Sequence, residues 1–284
     1  MSQKVIPKII HFCWFGGGEK SKDVLEYIKT WQQLLPDYKI MEWNEKTYSI
    51  ENSIPYVKEA YSSKKWAFVS DYVRLYALYN YGGIYLDTDV QILKSFDDLL
   101  KNEVFFGFES KDYLCTAVMG ACSKHWFVKE FLDSYKERHF IKEDGTLDTV
   151  STNVVVLTKL LCQHGLVLNG KVQNISEIKI YPQKYFSDNS LINLFNKYKK
   201  SSYAYHHYSA SWYESTTKKG FLKKKDKINN FNSEKNDSVK SKDEEVSTLK
   251  SNLDESPNES QEQLVEHELT SNQEENLESQ EEVE

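Results

Sequence analysis

The sequence is poor in cysteine and has no long apolar run. Its 284 residues include four scattered cysteines and no C-x-x-C pair, which is typical of reduced thiols in a cytosolic protein. No stretch reaches the roughly 18 apolar residues of a membrane-spanning helix. The start, MSQKVIPKIIHFCWF, lacks the long apolar region and cleavage site of a signal peptide. We therefore expect a cytoplasmic protein.

Several common site patterns are also missing. The glycine triplet 16–18 follows a predicted strand but does not form a G-x-G-x-x-G fingerprint. After the D-T-D segment at residues 87–89, Gln91 and Ile92 stand where an EF-hand loop needs a polar ligand and a glycine. No internal repeat is evident. These absences exclude a dinucleotide fingerprint, an EF-hand and a repeat architecture.

Charge is unevenly distributed along the chain. The net charge is −7, but residues 231–284 hold 17 acidic and 4 basic side chains, whereas residues 1–230 hold 26 acidic and 32 basic ones. The acidic, Ser/Asn/Glu-rich end cannot bury enough apolar surface to fold. We predict one α/β domain over residues 1–229 and a disordered low-complexity tail over 230–284. The mildly basic domain suits an anionic ligand and gives no reason to expect a nucleic-acid partner.

The most informative stretch is residues 66–90, WAFVSDYVRLYALYNYGGIYLDTDV. Apolar and aromatic side chains recur with a period close to 3.6 and predict a helix. Asp71 and Arg74, three residues apart, share one side of that helix. Gly82 and Gly83 predict the helix end and a tight reversal into a short apolar strand.

Asp87 and Asp89 end that strand, and residues two apart on a strand point the same way. Two adjacent carboxylates repel unless a cation lies between them, and Mg²⁺ or Mn²⁺ would bind both and bridge to phosphate. The alternative interpretation is a buried helix packed on a strand, with the two aspartates as turn carboxylates.

Three segments together resemble glycosyltransferase family 32, namely IPKIIHFCWFGG, SDYVRLYALYNYGGIYLDTDV and HHYSASW. Their order and spacing match that family over residues 6–212. The resemblance implies a GT-A type α/β fold, with a Rossmann-like, mostly parallel central sheet flanked by helices. It also implies a retaining, metal-dependent transfer of a hexose from a nucleotide-diphosphate sugar.

The resemblance assigns roles to the central residues. Asp71 is expected to hydrogen-bond the donor sugar, and Arg74 to lie beside the phosphates. Asp87 is expected to hold ribose or sugar hydroxyls and a metal-bound water, and Asp89 to bind the metal.

A second cluster, YAYHHYSASW at residues 203–212, matches the segment in which the family supplies a further metal ligand. Adjacent residues of a strand face opposite ways, so at most one of the two histidines faces the site. His207, which lies five residues before Trp212, is our first choice for that ligand, and His206 is the second. Imidazole combined with carboxylate oxygen favours Mn²⁺ over Ca²⁺. Ser211 and Trp212 match the closing segment that covers the diphosphate and donor sugar.

The resemblance also suggests roles for three further residues. Trp14 matches an aromatic residue that stacks on the nucleotide base, the alternative being a core residue. Asn153, in a helix predicted over residues 148–161, matches a polar residue beneath the donor sugar, the alternative being a helix cap. Glu109 lies in the region that lines the cleft, but we favour a solvated strand-end carboxylate.

The substrates are predicted only by analogy. The expected donor is a UDP-linked glucose, galactose or N-acetylhexosamine, with GDP-mannose as an alternative. The expected acceptor is a lipid-linked bacterial capsule or surface glycan, and the basic cluster from Lys218 to Lys227 suggests peripheral contact with the inner face of the plasma membrane. The rival hypotheses are an effector that glucosylates a protein and a non-catalytic sugar-binding module.

Overall fold

The computed structural model describes residues 4–187 and 201–209. The described residues form five α-helices: α1 (Lys22–Leu34), α2 (Pro55–Ser62), α3 (Trp66–Tyr81), α4 (Trp126–Asp133) and α5 (Asn153–Gln163). They also form nine strands: β1 (Ile9–Cys13), β2 (Lys39–Trp43), β3 (Gly83–Leu86), β4 (Val90–Ile92), β5 (Val104–Phe108), β6 (Leu114–Ala121), β7 (Gln173–Ile175), β8 (Ile178–Tyr181) and β9 (Ala204–His206). The predicted domain boundary, the acidic tail and the basic cluster lie outside the described residues, so the domain division stays a prediction.

Seven strands form the central sheet in the order β2-β1-β3-β6-β5-β8-β7. The pairings β1–β2, β1–β3 and β5–β8 are parallel, whereas β3–β6, β5–β6 and β7–β8 are antiparallel. Five strands therefore run in one direction, and only β6 and β7 oppose them. The predicted α/β fold, with a mostly parallel central sheet flanked by helices, is confirmed.

Apolar side chains cover both faces of this sheet. Along β1, Ile10 and Phe12 pack in the cluster that includes Trp31 of α1. On the other face, Tyr85 of β3 packs in the cluster that includes Val73 of α3 and residues of α2, α4 and α5. Burial on two faces explains why β1 and β3 are almost continuously apolar in sequence.

The reversal between α3 and β3 requires its two glycines. Gly82 and Gly83 have φ angles of 65° and 112°, which other residues rarely adopt. A Cβ at Gly83 would also lie 2.6 Å from the Ile9 carbonyl oxygen. The predicted helix end and tight turn are thus present, and they allow β3 to begin immediately after α3 ends.

His11 of β1 fixes this turn from the neighbouring strand. Its Nε2 lies 2.7 Å from the Gly82 carbonyl oxygen, and its Nδ1 accepts a hydrogen bond from Trp43 Nε1 at 3.1 Å. These partners assign the neutral tautomer with the proton on Nε2. Because the side chain is fully buried, its pKa falls from 6.5 to about 4.

Helix α5 begins five residues later than predicted. Its first residue is Asn153 rather than Asp148, and Thr152 at the N-cap has an extended backbone. The reason is local: the Asp148 carboxylate accepts a hydrogen bond from the Ser151 N–H at 3.2 Å and so stabilises a turn ahead of the helix.

None of the helices in the described part of the chain has the length and apolar character needed to cross a bilayer.

The depressed pKa of His11 predicts a pH-dependent stability. Above pH 6.5 the histidine is neutral in both states, but between pH 6.5 and 4 only the unfolded chain takes up the proton, which destabilises the fold. At pH 5 we expect this effect to cost about 2 kcal/mol relative to pH 7.5. Urea unfolding at both pH values measures it. His11→Asn should be less stable at pH 7.5 yet lose less on acidification, and an equal loss in both proteins would contradict this prediction.

Candidate active site

Arg74 lies at the centre of the polar cluster beneath the end of β3. Its Nη2 is 3.1 Å from Asp71 Oδ1, and its Nη1 is 3.2 Å from Asp87 Oδ1. The same Nη1 donates a hydrogen bond to the Thr116 carbonyl oxygen of β6 at 2.9 Å. Because the Arg74 side chain is only 5% exposed, these ion pairs are shielded from water and salt. The helix face predicted from the three-residue spacing of Asp71 and Arg74 is therefore present and buried.

Tyr85 is a member of this cluster that the sequence reasoning treated only as an apolar strand residue. Its hydroxyl donates a hydrogen bond to Asp87 Oδ1 at 2.9 Å, and the Arg74 guanidinium carbon lies 4.5 Å from its ring centroid. The signal that could have identified it is the two-residue spacing, which places Tyr85 and Asp87 on one side of the chain.

Asp87 and Asp89 lie in a turn rather than within a strand. The strand β3 ends at Leu86, and β4 begins at Val90. The Val90 N–H donates to the Asp87 carbonyl oxygen at 3.1 Å and closes the turn. The two carboxylates converge because of this reversal, and not because of the strand alternation from which their proximity was predicted.

A small second sheet brings a histidine to the turn. Strand β9 pairs antiparallel with β4, with His206 opposite Val90. As a result, His206 Nε2 lies 3.2 Å from Asp89 Oδ1, and one ligand atom each from Asp87, Asp89 and His206 lie within 4.8 Å of one another. Asp89 Oδ2 also accepts the Ser209 N–H at 2.8 Å. Burial by itself disfavours the charged forms of Asp89 and His206. Their interaction with each other outweighs this effect, so the pKa of Asp89 is lowered and that of His206 is raised.

His207, the first choice from sequence, faces the other way. Its ring stacks on Tyr27 of α1, with centroids 4.3 Å apart, and its Nε2 is 3.2 Å from Gln91 Oε1. The structure thus groups the second choice, His206, with the two aspartates. Choosing between the two histidines required the pairing register of β4 and β9, which the sequence does not reveal.

Asn153 lies where α5 meets the cluster. Its Oδ1 accepts a hydrogen bond from Thr116 Oγ1 at 3.0 Å, and its backbone N–H donates to the Asp71 carboxylate. Its Nδ2 is buried and has no hydrogen-bond partner among the described residues. A buried amide of this kind is costly unless a ligand or water accepts its proton. Burial raises the pKa of Asp71, against the attraction of Arg74.

Glu109 is not the solvated carboxylate that we favoured from sequence. It is partly buried at the end of β5 and lines a cavity of about 230 Å³ with Ser110, Tyr113, Val154 and Tyr208. Burial raises its pKa, and the charges of His206 and Asp87 act on it. Its burial depends on residues distant in the chain, which explains why local sequence did not indicate it.

The remaining predicted residues lie away from this cluster or outside the described residues. Trp14 follows β1, is partly buried, and donates from Nε1 to the Gly18 carbonyl oxygen at 2.6 Å. Lys20 lies over its ring at 5.6 Å from the centroid. Stacking of Trp14 on a base stays a prediction. Ser211 and Trp212 lie outside the described residues.

Known proteins resemble this chain over part of its length. The profile of the family described as "Glycosyltransferase sugar-binding region containing DXD motif" matches residues 21–106. A mannosyl phosphorylinositol ceramide synthase of Saccharomyces cerevisiae is 31% identical over 140 residues, covering 47% of this chain and 35% of that protein. Inositol phosphoceramide mannosyltransferase 3 of Schizosaccharomyces pombe is 32% identical over 130 residues, covering 43% and 35%. The chain thus matches about a third of these relatives' length.

Among solved structures, the PaToxG glycosyltransferase is 20% identical, with a TM-score of 0.45 over 56% of this chain and 69% of that one. The family match includes Asp71, Arg74, Asp87 and Asp89, which meet in the geometry described above. Over residues 21–106, this chain is similar to the family of glycosyltransferase sugar-binding regions containing a DXD motif.

Proposed function

We propose that this protein is a retaining, divalent-metal-dependent glycosyltransferase of the GT-A type, which moves a hexose from a nucleotide-diphosphate sugar to a hydroxyl acceptor. The proposal rests on one observation: ligand atoms of Asp87, Asp89 and His206 lie within 4.8 Å of one another, beside the ion pairs of Arg74. Such a cluster combines ligands for a cation with a fixed positive charge, and a diphosphate leaving group needs both.

Asp87, Asp89 and His206 are the residues that would hold the cation. Two carboxylates and one imidazole fit Mn²⁺, with Mg²⁺ as the alternative. All three side chains retain partial solvent access, with exposed fractions of 28%, 16% and 12%. When bound, a divalent cation would neutralise charge on the diphosphate, and His206 must be neutral to act as a ligand.

Asp71, Asn153 and Trp14 would hold the donor. The Asp71 carboxylate can accept a hydrogen bond from a sugar hydroxyl, and the buried Nδ2 of Asn153 can donate one to a sugar oxygen. Trp14, partly exposed after β1, offers a flat ring to the base. Mannosyl transfer in the names of both fungal relatives supports GDP-mannose, so it stands beside a UDP-hexose as the donor to be tested.

The cavity lined by Glu109 would take the acceptor. The Glu109 carboxylate can hydrogen-bond an acceptor hydroxyl, whereas Tyr113 and Val154 offer apolar surface. The fungal relatives carry inositol phosphoceramide in their names, which supports a lipid-linked acceptor without identifying it. A capsule glycan and peripheral contact at the cytoplasmic face of the membrane remain our proposals for the biological setting.

In the proposed reaction, the bond between the sugar C1 and the diphosphate oxygen breaks, and an acceptor oxygen forms a bond to C1 on the same face. The acceptor proton passes to the leaving diphosphate oxygen, so this step requires no carboxylate base. Arg74 is oriented by Asp71, Asp87 and Thr116 and supplies positive charge beside the departing group.

We expect donor hydrolysis by the purified protein to require the aspartates of the turn. Free nucleotide diphosphate would be measured with a panel of UDP- and GDP-sugars, with Mn²⁺ or with EDTA. One donor should be hydrolysed, and EDTA or Asp89→Asn should reduce the rate about 100-fold or more, because metal charge stabilisation is worth several kcal/mol.

Asp98→Asn is the matched control, because it removes an exposed carboxylate away from the turn. Absence of metal-dependent binding of both UDP and GDP would contradict the proposed function. Binding without any transfer would instead favour the non-catalytic sugar-binding module.

The two adjacent histidines allow a sharp test of the metal site. We expect His206→Asn to weaken Mn²⁺ binding about 10- to 100-fold, because it removes a ligand, and His207→Asn to change it little. Isothermal titration with Mn²⁺ would measure both. His207→Phe is a further control, since it keeps an aromatic ring on Tyr27. A larger effect at His207 than at His206 would restore the first choice from sequence.

Glu109 should affect the acceptor but not the donor. We expect Glu109→Gln to raise the KM for acceptor about tenfold, the effect of losing one charge-assisted hydrogen bond, while leaving donor hydrolysis without acceptor unchanged. NMR of the product's anomeric proton would report stereochemistry in parallel. An inverted product, together with loss of kcat in Glu109→Gln, would instead make Glu109 a general base and overturn the proposed retention.

A further inference from the structure

The chain uses arginine very sparingly. Of its 36 basic lysine and arginine residues, only Arg74 and Arg138 are arginines. Arg74 is the centre of the cluster described above. Arg138 belongs to no motif recognised in the sequence, yet it also lies near Asp71, on which its charge acts. Arginine offers a planar set of donors and a flat surface for contact with aromatic rings, both of which lysine lacks.

Arg138 fixes the turn that precedes α5. Its Nη2 donates to the Ser151 carbonyl oxygen at 2.7 Å and to Asp148 Oδ2 at 3.1 Å. Asp148 Oδ1 in turn accepts the Ser151 N–H, which closes the turn on itself. The Arg138 side chain is 19% exposed and that of Asp148 13%, so this charged pair is mostly removed from water.

Two tyrosines hold the guanidinium in place. Its central carbon lies 4.8 Å from the ring centroid of Tyr56 and 4.6 Å from that of Tyr135. The two rings themselves meet edge to face, with centroids 5.0 Å apart. Among the described residues, Arg138 Nη1 and both tyrosine hydroxyls are buried without a hydrogen-bond partner. Arg138 is therefore held by contacts with the two rings together with the two hydrogen bonds of its Nη2.

The turn held by Arg138 leads directly into the candidate donor site. Thr152 caps α5 with an extended backbone, and Asn153 is the first helical residue. The Asn153 N–H donates to Asp71, and its side chain accepts from Thr116. A shift of the turn would therefore move the backbone donor of Asp71 and the unpartnered Nδ2 of Asn153 together.

We propose that Arg138 is a positioning residue for the donor-sugar side of the site: by fixing the turn at residues 148–152, it sets where α5 begins and holds Asn153 against Asp71. The catalytic part of this inference rests on the proposed function, whereas the structural part does not. Lysine cannot replace Arg138, because one ammonium group cannot contact both tyrosine rings and bond Asp148 and Ser151 with the same geometry.

Arg138→Gln and Lys136→Gln form a matched pair for the test. Both remove one positive charge from the segment that follows α4, but Lys136 is 57% exposed and, in the part of the chain that the structure describes, forms its ion pair with Asp133. Hydrogen exchange, followed by mass spectrometry of a peptide covering residues 148–156, should be faster by at least about tenfold in Arg138→Gln only, because the charge-assisted bonds to the turn are lost. Peptides from α3 and β3 should remain unchanged.

Kinetics then separate positioning from general destabilisation. We expect Arg138→Gln to lower kcat of donor hydrolysis about 10- to 100-fold, while metal-dependent affinity for the nucleotide diphosphate stays within about twofold, because the metal ligands lie on other elements. Arg138→Lys should remain as slow as Arg138→Gln. Should Arg138→Gln fail to fold, Asp148→Asn removes the negative charge and one of the two acceptor oxygens, so that Arg138 and Ser151 can no longer both bond to a carboxylate, while Arg138 keeps its ring contacts; the same results are expected.

Three results would overturn the inference: exchange in Arg138→Gln equal to that in Lys136→Gln, unchanged kcat despite faster exchange, or full recovery by Arg138→Lys. A wild-type protein that shows no transfer or hydrolysis with any donor would instead refute the proposed function. The exchange experiment would still decide whether Arg138 fixes the start of α5, so the two failures are distinguishable.

Discussion

One buried guanidinium holds the helix α3, the end of β3 and the strand β6 in a fixed relation. Arg74 reaches Asp71 on its own helix, Asp87 after β3, and the carbonyl oxygen of Thr116 on β6. Without it, two carboxylates would be left close together in a poorly solvated place, and such uncompensated burial typically costs several kcal/mol. Arg74 therefore allows acidic side chains to be concentrated at this end of the sheet.

The same contacts explain what local sequence could predict. Helix α3, the Gly82-Gly83 reversal and strand β3 are adjacent in sequence, and each follows from periodicity or backbone preference. Asp71 and Arg74 were expected on one face because a helix places residues three apart together. This part of the fold could be predicted because the helix, the turn and the strand follow one another within residues 66–86, and each is indicated by its own local sequence pattern.

The rest depended on contacts between distant residues. The turn at residues 87–89 meets β9 about 115 residues later, and its register decides that His206 rather than His207 faces Asp89. Adjacent strand residues point to opposite faces, so a shift of one residue would exchange the two histidines. Glu109 was likewise misjudged because its burial arises from the walls of a cavity assembled by separate elements.

The ion pair between Asp89 and His206 also bears on how the site could receive an anionic donor. A protonated His206 partly balances the two aspartates of the turn, whereas a histidine ligand must be neutral. Replacing that proton by a divalent cation raises the charge of the cluster by one unit. Since Arg74 is already committed to Asp71 and Asp87, the cation would supply the additional attraction for a diphosphate. Under the proposed function, this charge arrangement would favour binding of the metal before, or together with, the nucleotide sugar.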